Sequence, residues 1–260
     1  MYYTRTEEGQ SYTIHCRRGL EEGAAEQVVL DENVTASGHD YCDVGTVAPS
    51  PSHELLAYTV DTNGYETYRA VFVDLASGAE VEGEKGIAEM DALVWGKDQR
   101  EVYYTKQDAA HRPFQLWRHR LGTDSATDDE CLFTENDERF WVSVEKTRSG
   151  RFLVLSTDSS ETSEVHLIDL QTPDAKLQCV APRVFGTLYS VDHTGEWVVI
   201  ATNADGAKNF KLVVTPLDAL GAEHWRPLPT AAADVAPFVY EPDRMVRRRC
   251  CGYAFPSVCV

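Results

Sequence analysis

The fold class this sequence predicts is all-β, a run of β-propeller blades, and three observations predict it. Short β-rich apolar segments recur in a fixed order. The polar turns between them return about every 45 to 52 residues, the range of propeller blades. No window of a dozen residues keeps apolar positions at the three-and-four spacing of an amphipathic helix.

The elements follow in order. Residues 48–61 read as a turn and then an apolar strand, residues 68–75 as its partner, and Ser77-Gly78 as the next turn. The unit returns at 93–104 with 114–121. It returns again at 142–144, 152–156 and 164–170, and a fourth time at 189–191, 197–201 and 210–217. The turns at Ser52-His53, Lys97-Asp98, Ser149-Gly150 and Thr194-Gly195 share one logic: a strand ends in polar turn chemistry and an antiparallel neighbour begins. Residues 2–5 and 11–17 look like part of an earlier blade, so four to five blades are visible. An open ring of blades leaves a strand edge exposed, which makes the count an incomplete propeller. The expected organisation is a partial propeller at 1–236 and a divergent tail at 237–260. The tail has no strand–turn rhythm, three adjacent arginines (Arg247, Arg248, Arg249) and a cysteine cluster. It reads as the end of a truncated product, misplaced coding sequence; a genuine basic tail that binds an acidic partner is the alternative.

The chain has 260 residues and a formal charge of −18. Such a surface repels phosphate backbones and anionic lipid, so nucleic acid and membrane are not expected partners, whereas cationic peptides are attracted. Most of these carboxylates read as solvation; residues 124–130 read as a solvated loop, and 135–139 as a solvated loop with a peptide-binding surface as the alternative. No apolar run approaches the roughly 20 residues of a bilayer span. The first residues lack the layout of a signal peptide, so a cytoplasmic location is expected, with an upstream organelle-targeting segment left open.

Cys16, Cys42, Cys131 and Cys179 are isolated, Cys250, Cys251 and Cys259 crowd the tail, and none forms Cys-x-x-Cys. No paired histidines stand at zinc-ligand spacing; His53-Glu54-Leu55-Leu56-Ala57 begins a His-Glu-x-x-His pattern and lacks its second ligand. There is no Gly-x-Ser-x-Gly elbow and no phosphate loop. His111, His119, His166 and His193 read as ordinary edge or turn histidines, and Trp95, Trp117, Trp141 and Trp197 as strand residues packed between blades. The sequence therefore assigns no catalytic, cofactor-binding or metal-binding residue, expects no cofactor, and singles out no substrate-binding residue.

Several uncommon strings carry a resemblance. Residues 112–123 (Arg-Pro-Phe-Gln-Leu-Trp-Arg-His-Arg-Leu-Gly-Thr) and 136–144 (Asn-Asp-Glu-Arg-Phe-Trp-Val-Ser-Val), followed by Thr147-Arg148-Ser149-Gly150, resemble the propeller of the oligopeptidase B branch of the prolyl oligopeptidase family of serine peptidases. Residues 162–167 and 205–212, with 3–9 and Asp31-Glu32-Asn33 near the start, match in the same order, so the likeness covers roughly 2 to 235. The resemblance implies a seven-bladed propeller of four-stranded blades capping an α/β-hydrolase domain that carries the catalytic Ser, Asp and His. None of those three is carried over to a residue here, and the family's segment before the propeller is not matched. It further implies hydrolysis of short peptides after Arg or Lys, with the propeller as a gate over the active site, and no peptidase activity for this chain alone. The other reading is a non-catalytic, stand-alone propeller that binds a peptide or protein through loops around its funnel.

Overall fold

The computed structural model describes residues 1–228, so the tail at 237–260 lies outside the described residues. Among the described residues two compact units are present: Met1–Glu145 with Leu170–Pro173, and Lys146–Asp169 with 174–228.

In the first unit, β1 (Tyr2–Arg5), β2 (Ile14–Arg17) and β3 (Gln27–Asp31) form a three-stranded antiparallel sheet, the earlier blade expected at 2–17. Asp31 then caps a single helical turn, α1 (Glu32–Thr35), its carboxylate accepting from the Asn33 amide at 2.9 Å. This explains the Asp-Glu-Asn string and adds one short helix to a chain read as all strand. A meander of seven strands follows: β4 (Asp43–Pro49), β5 (Leu55–Asp61), β6 (Tyr68–Asp74), β7 (Ile87–Trp95), β8 (Glu101–Gln107), β9 (Pro113–Arg120) and β10 (Glu130–Thr134). β7 joins two blades, because Ile87 pairs with Ala70 of β6 while Leu93 pairs with Tyr104 of β8. The unit ends in β11 (Trp141–Lys146), whose last residue begins the second unit.

The blade repeat is visible at the level of single hydrogen bonds. In the turn at 50–54 the Ser50 amide donates to the Leu55 carbonyl at 2.8 Å, and in the turn at 96–100 the Gly96 amide donates to the Glu101 carbonyl at 2.9 Å. The leucine after each third strand closes back on that turn: the Leu75 amide donates to the Glu54 carbonyl at 2.8 Å and the Leu121 amide to the Arg100 carbonyl at 2.9 Å. Each first strand also carries a bulge opposite a buried threonine. Gly45 and Thr46 oppose Thr59, whose hydroxyl accepts the extra Thr46 amide at 2.8 Å; Asp91 and Ala92 oppose Thr105, which accepts the Ala92 amide at 3.1 Å. A bulge leaves one amide without a ladder partner, and the hydroxyl supplies it.

The core of this unit is aliphatic and aromatic. Ala57, Phe72, Ile87, Met90, Trp95, Val102 and Tyr104 form one cluster, and Leu56, Val60, Val71 and Leu75 belong to another. Burying each large side chain contributes roughly 1.5–3 kcal/mol. Trp95 donates to the Ala48 carbonyl at 2.8 Å, tying β7 to β4 as the packing expectation requires. Trp141 departs from that expectation: it lies on β11 and is 50% exposed.

The second unit holds two antiparallel sheets: β12 (Phe152–Asp158), β13 (Ser163–Asp169) and β14 (Gln178–Ala181) pair in order in one, and β15 (Tyr189–Thr194), β16 (Trp197–Thr202), β17 (Lys211–Pro216) and β18 (Arg226–Pro227) in the other. Its turn at 147–151 repeats that at 50–54. The Thr147 amide donates to the Phe152 carbonyl at 3.0 Å and the Thr147 hydroxyl accepts from the Phe152 amide at 3.1 Å, as Ser50 does for Leu55. The fourth position of each turn takes a positive φ, 68° at Gly150 and 62° at His53. Val165, Leu167, Tyr189, Val198, Ile200 and Val213 pack into one core. These antiparallel sheets, linked by tight turns at blade intervals, are the propeller blades predicted. Among the described residues no helix is long and apolar enough to cross a membrane.

Candidate functional site

The histidines come first, because they are the natural bases. His111 sits in the turn before β9 with φ 59° and is exposed, as expected. His193 on β15 is buried, with Nδ1 2.8 Å from the Ser149 hydroxyl. That separation suits a nucleophile and its base, yet the other ring nitrogen is buried without a hydrogen-bond partner, and a catalytic dyad needs an orienting group there. Ser149 is also within 2.9 Å of the Thr147 hydroxyl. Burial, with the nearby Arg151 charge, lowers the His193 pKa and keeps the ring neutral. The pair fastens a turn.

His119 overturns the edge-or-turn reading. It lies on β9 with a side chain 0% exposed, between the carboxylates of Glu84 (2%) and Asp129 (1%). Nδ1 is 2.7 Å from Asp129 and Nε2 3.3 Å from Glu84; the Tyr104 hydroxyl donates to the second Asp129 oxygen at 2.8 Å. The amides of Gly86 and Gly122 donate to Glu84 at 2.9 and 2.8 Å. Burial alone disfavours a charged imidazole, but the hydrogen bonds to the two carboxylates outweigh it and raise the His119 pKa. Burial likewise works against the Glu84 carboxylate, and His119 with the two glycine amides outweighs it and lowers that pKa. Asp129 belongs to the stretch 124–130 read as a solvated loop. The correction is physical: a carboxylate that accepts from a buried imidazole and a buried phenol is paid in hydrogen bonds for leaving water. Part of 135–139 is corrected the same way. Glu135 is buried, and Arg112, itself buried, donates to the carbonyls of Phe140 at 2.7 Å, Asp137 at 3.2 Å and Glu135 at 3.4 Å while pairing with Asp108 at 2.9 Å. Arg139 is exposed, as expected of a solvated loop. These are structural networks sealed from solvent.

Besides a shallow cavity lined by Tyr2, Arg17, Arg18, Gln27 and His53, the first unit exposes its loop end, where β5 and β6 are joined by 62–67 and β8 and β9 by 108–112. Asp61 organises the first loop, accepting from the amides of Asn63, Gly64 and Glu66 at 2.8 to 3.0 Å. Asp108 organises the second, accepting from the Ala110 and Arg112 amides at 2.9 and 3.1 Å. Tyr68 pairs with Met90, which places Glu66 and Glu89 at one end of β6 and β7; both are exposed and both hold a positive φ, 56° and 53°. Such backbone is uncommon outside glycine and marks positions held by their surroundings. The Tyr68 hydroxyl donates to Asp43 at 2.5 Å, and burial raises the Asp91 pKa against its hydrogen bonds from Thr105 and Gln107. Asp43, Glu66 and Glu89 so bring three carboxylates to this end, while burial disfavours the charged form of Asp91. No sequence pattern singled them out, because positive φ and bulge positions are invisible to periodicity.

In the second unit, Glu164 and His166 of β13 and Cys179 of β14 meet. Their ligand atoms all lie within 4.8 Å of one another, although the sequence offered no metal spacing there. Burial pushes the Cys179 thiol up to about 11, with the Glu164 charge adding to it.

Comparison with known proteins places this architecture. The family model for the prolyl oligopeptidase N-terminal β-propeller domain matches residues 1–236. Among curated proteins, Protease 2 of Moraxella lacunata is 36% identical over 85% of this chain and 33% of its own length, and dipeptidyl aminopeptidase BI of Pseudoxanthomonas mexicana 34% identical over 86% and 33%. Among solved structures, oligopeptidase B from Leishmania major superposes with a TM-score of 0.78 at 35% identity, covering 83% of this chain and 31% of that one. Oligopeptidase B from Trypanosoma brucei, in a closed form with covalently bound antipain, gives 0.74 at 39% identity over 84% and 31%. The chain spans about a third of the length of these relatives. Blades, turns and the family match over residues 1–236 agree, and the chain belongs to the prolyl oligopeptidase N-terminal β-propeller domain family.

Proposed function

We propose that this propeller is the access gate of a serine oligopeptidase, set over an α/β-hydrolase domain normally carried in the same chain, and that it favours short peptides with Arg or Lys. The observation that carries the reading is the acidic loop end of the first unit, Asp43, Glu66 and Glu89, on a propeller of this family. A rigid ring of blades restricts passage to short flexible chains, and closing two domains excludes water from the reacting bond. Carboxylates around the passage raise the local concentration of cationic peptides. The closed form of the Trypanosoma brucei relative supports a gate that opens and shuts. The proposed activity belongs to propeller and hydrolase together; alone, this chain is expected to turn over no peptide.

The test uses the purified chain with two tetrapeptides, one carrying two arginines and one carrying two glutamates. The basic peptide is expected to bind, to weaken at least about tenfold between 50 and 300 mM salt, and to lose affinity in Glu66→Gln/Glu89→Gln. Equal binding of the acidic peptide defeats the electrostatic reading. Hydrolysis of an arginine amide substrate that a serine-reactive phosphonate abolishes defeats the assignment of catalysis to another domain.

A further inference from the structure

We infer that Glu164, His166 and Cys179 form a binding site for a zinc-type divalent cation on the second unit. Glu164 and His166 stand two apart on β13, so both side chains leave the same face of the sheet. Cys179 of β14 is the direct cross-strand partner of His166. One carboxylate oxygen, one imidazole nitrogen and one thiol sulfur therefore converge on one spot, with every pair within 4.8 Å. Glu164 Oε1 is 3.7 Å from His166 Nε2. Two ligands at about 2.0–2.2 Å from a tetrahedral zinc stand about 3.4 Å apart, so a movement of a few tenths of an ångström completes that edge.

The position of the thiol is built into the ladder. Val165 pairs with Ala181 and His166 with Cys179, which leaves Val180 as the extra residue of a bulge. The buried Tyr189 hydroxyl fills it, accepting from the Val165 and Ala181 amides at 2.9 and 3.2 Å and donating to the Ala181 carbonyl at 2.6 Å. That plug fixes the register that sets Cys179 opposite His166. The carboxylate is aimed as well: the Arg183 amide donates to Glu164 Oε2 at 3.2 Å, leaving Oε1 toward His166. The Arg183 guanidinium, 3.9 Å from Oε1, opposes a cation, so a moderate affinity is expected. Mixed sulfur, nitrogen and oxygen donors select a borderline-soft metal over magnesium or calcium, and three protein ligands leave a fourth position for water or a ligand. The thiol proton leaves to solvent when the metal–sulfur bond forms.

The test is alkylation of the full chain by iodoacetamide in chelator-free buffer, read cysteine by cysteine by peptide mass spectrometry, with and without Zn²⁺. Zinc is expected to slow Cys179 at least about tenfold, since a metal-bound thiolate is withdrawn from attack; Cys131, the other exposed thiol among the described residues, keeps its rate. With Co²⁺, a thiolate-to-cobalt absorption band is expected in the wild type, lost in Cys179→Ser and weakened in His166→Asn. An unchanged Cys179 rate, or a cobalt band of undiminished intensity in Cys179→Ser, overturns the proposal. The alkylation arm needs no variant, so it decides even where a substitution unfolds the blade.

Discussion

Replacing His119 by glutamine is the sharpest test of how this fold is held. The substitution removes the one cation between Glu84 and Asp129, whose side chains are 2% and 1% exposed, and keeps a neutral hydrogen-bonding group in its place. Two buried carboxylates then face each other without a counter-charge, and breaking a buried pair in this way costs about 3–5 kcal/mol. At about 2–4 °C per kcal/mol for 150–250 residues, the melting temperature falls by about 6–20 °C. Urea melts followed by tryptophan fluorescence should show a lower midpoint with an unchanged slope. The pH dependence carries a sign. The folded His119 pKa is raised above its ordinary 6.5, so its contribution is full below that value and is lost as pH rises through the folded one. The folded Glu84 pKa is lowered below 4.5, so its contribution is present above 4.5 and is lost as pH falls through the folded one. The gap between wild type and variant should therefore be widest between about pH 4.5 and 6.5 and shrink on both sides. A loss below about 1 kcal/mol, or a gap that does not change with pH, refutes the charged triad.

Three further outcomes are expected. Thr105→Val leaves the Ala92 amide of the bulge without an acceptor, and should cost about 1–3 kcal/mol with faster hydrogen exchange at that amide. Arg112→Ala releases the carbonyls of Glu135, Asp137 and Phe140; limited proteolysis should cut within 135–140, and chemical denaturation should show a loss of roughly 3 kcal/mol. In Gly45→Ala the new methyl would stand 2.9 Å from the Thr59 hydroxyl and 3.1 Å from the Tyr68 ring, so overpacking of about 1–3 kcal/mol is expected in calorimetry, while Gly78→Ala meets no atom within 4 Å and pays only for its positive φ of 73°.

The turns and the inner strands were legible because they obey local rules. Ser50-Pro51-Ser52-His53 and Thr147-Arg148-Ser149-Gly150 spell the same hydrogen bonds, and the apolar runs beside them fill the cores. The outer strands β10, β14 and β18 were not legible. They are short and polar, Glu-Cys-Leu-Phe-Thr, Gln-Cys-Val-Ala and Arg-Pro, and their pairing is set by the neighbouring strand rather than by their own residues. The charged network was hidden for a related reason. Asp129 stands in an acidic, Ser/Thr-rich string that composition assigns to water, and Glu84 and His119 are 35 residues apart. Only tertiary pairing makes them neighbours. The cluster of Glu164, His166 and Cys179 is the same lesson in a sheet, since a bulge at Val180 decides which residue faces His166.

The two ends of the blades are under different constraints, and that difference bears on where function can reside. The turns at 50–54, 96–100 and 147–151 have one length, that at 195–196 is shorter, and the turns fasten neighbouring blades: Gln99 donates to Glu54 at 2.7 Å, Ser52 bonds Gln99, Arg148 donates its amide to Asp192 at 2.8 Å, and Ser149 meets His193. A residue exchanged there disturbs two blades at once. The loops at the other end, 62–67, 108–112, 159–162 and 203–210, differ in length, and most of their hydrogen bonds close within the loop. Apart from Arg112, whose guanidinium ties loop 108–112 to the carbonyls of 135–140, these loops can change without loosening their own blades, which is the property a binding surface on a rigid scaffold needs. The exposed glutamates with positive φ, Glu66 and Glu89, lie at this end. A substitution scan that measures stability and peptide binding together should therefore separate the two ends, with stability falling at the turns and at Arg112, and binding at the other loop positions.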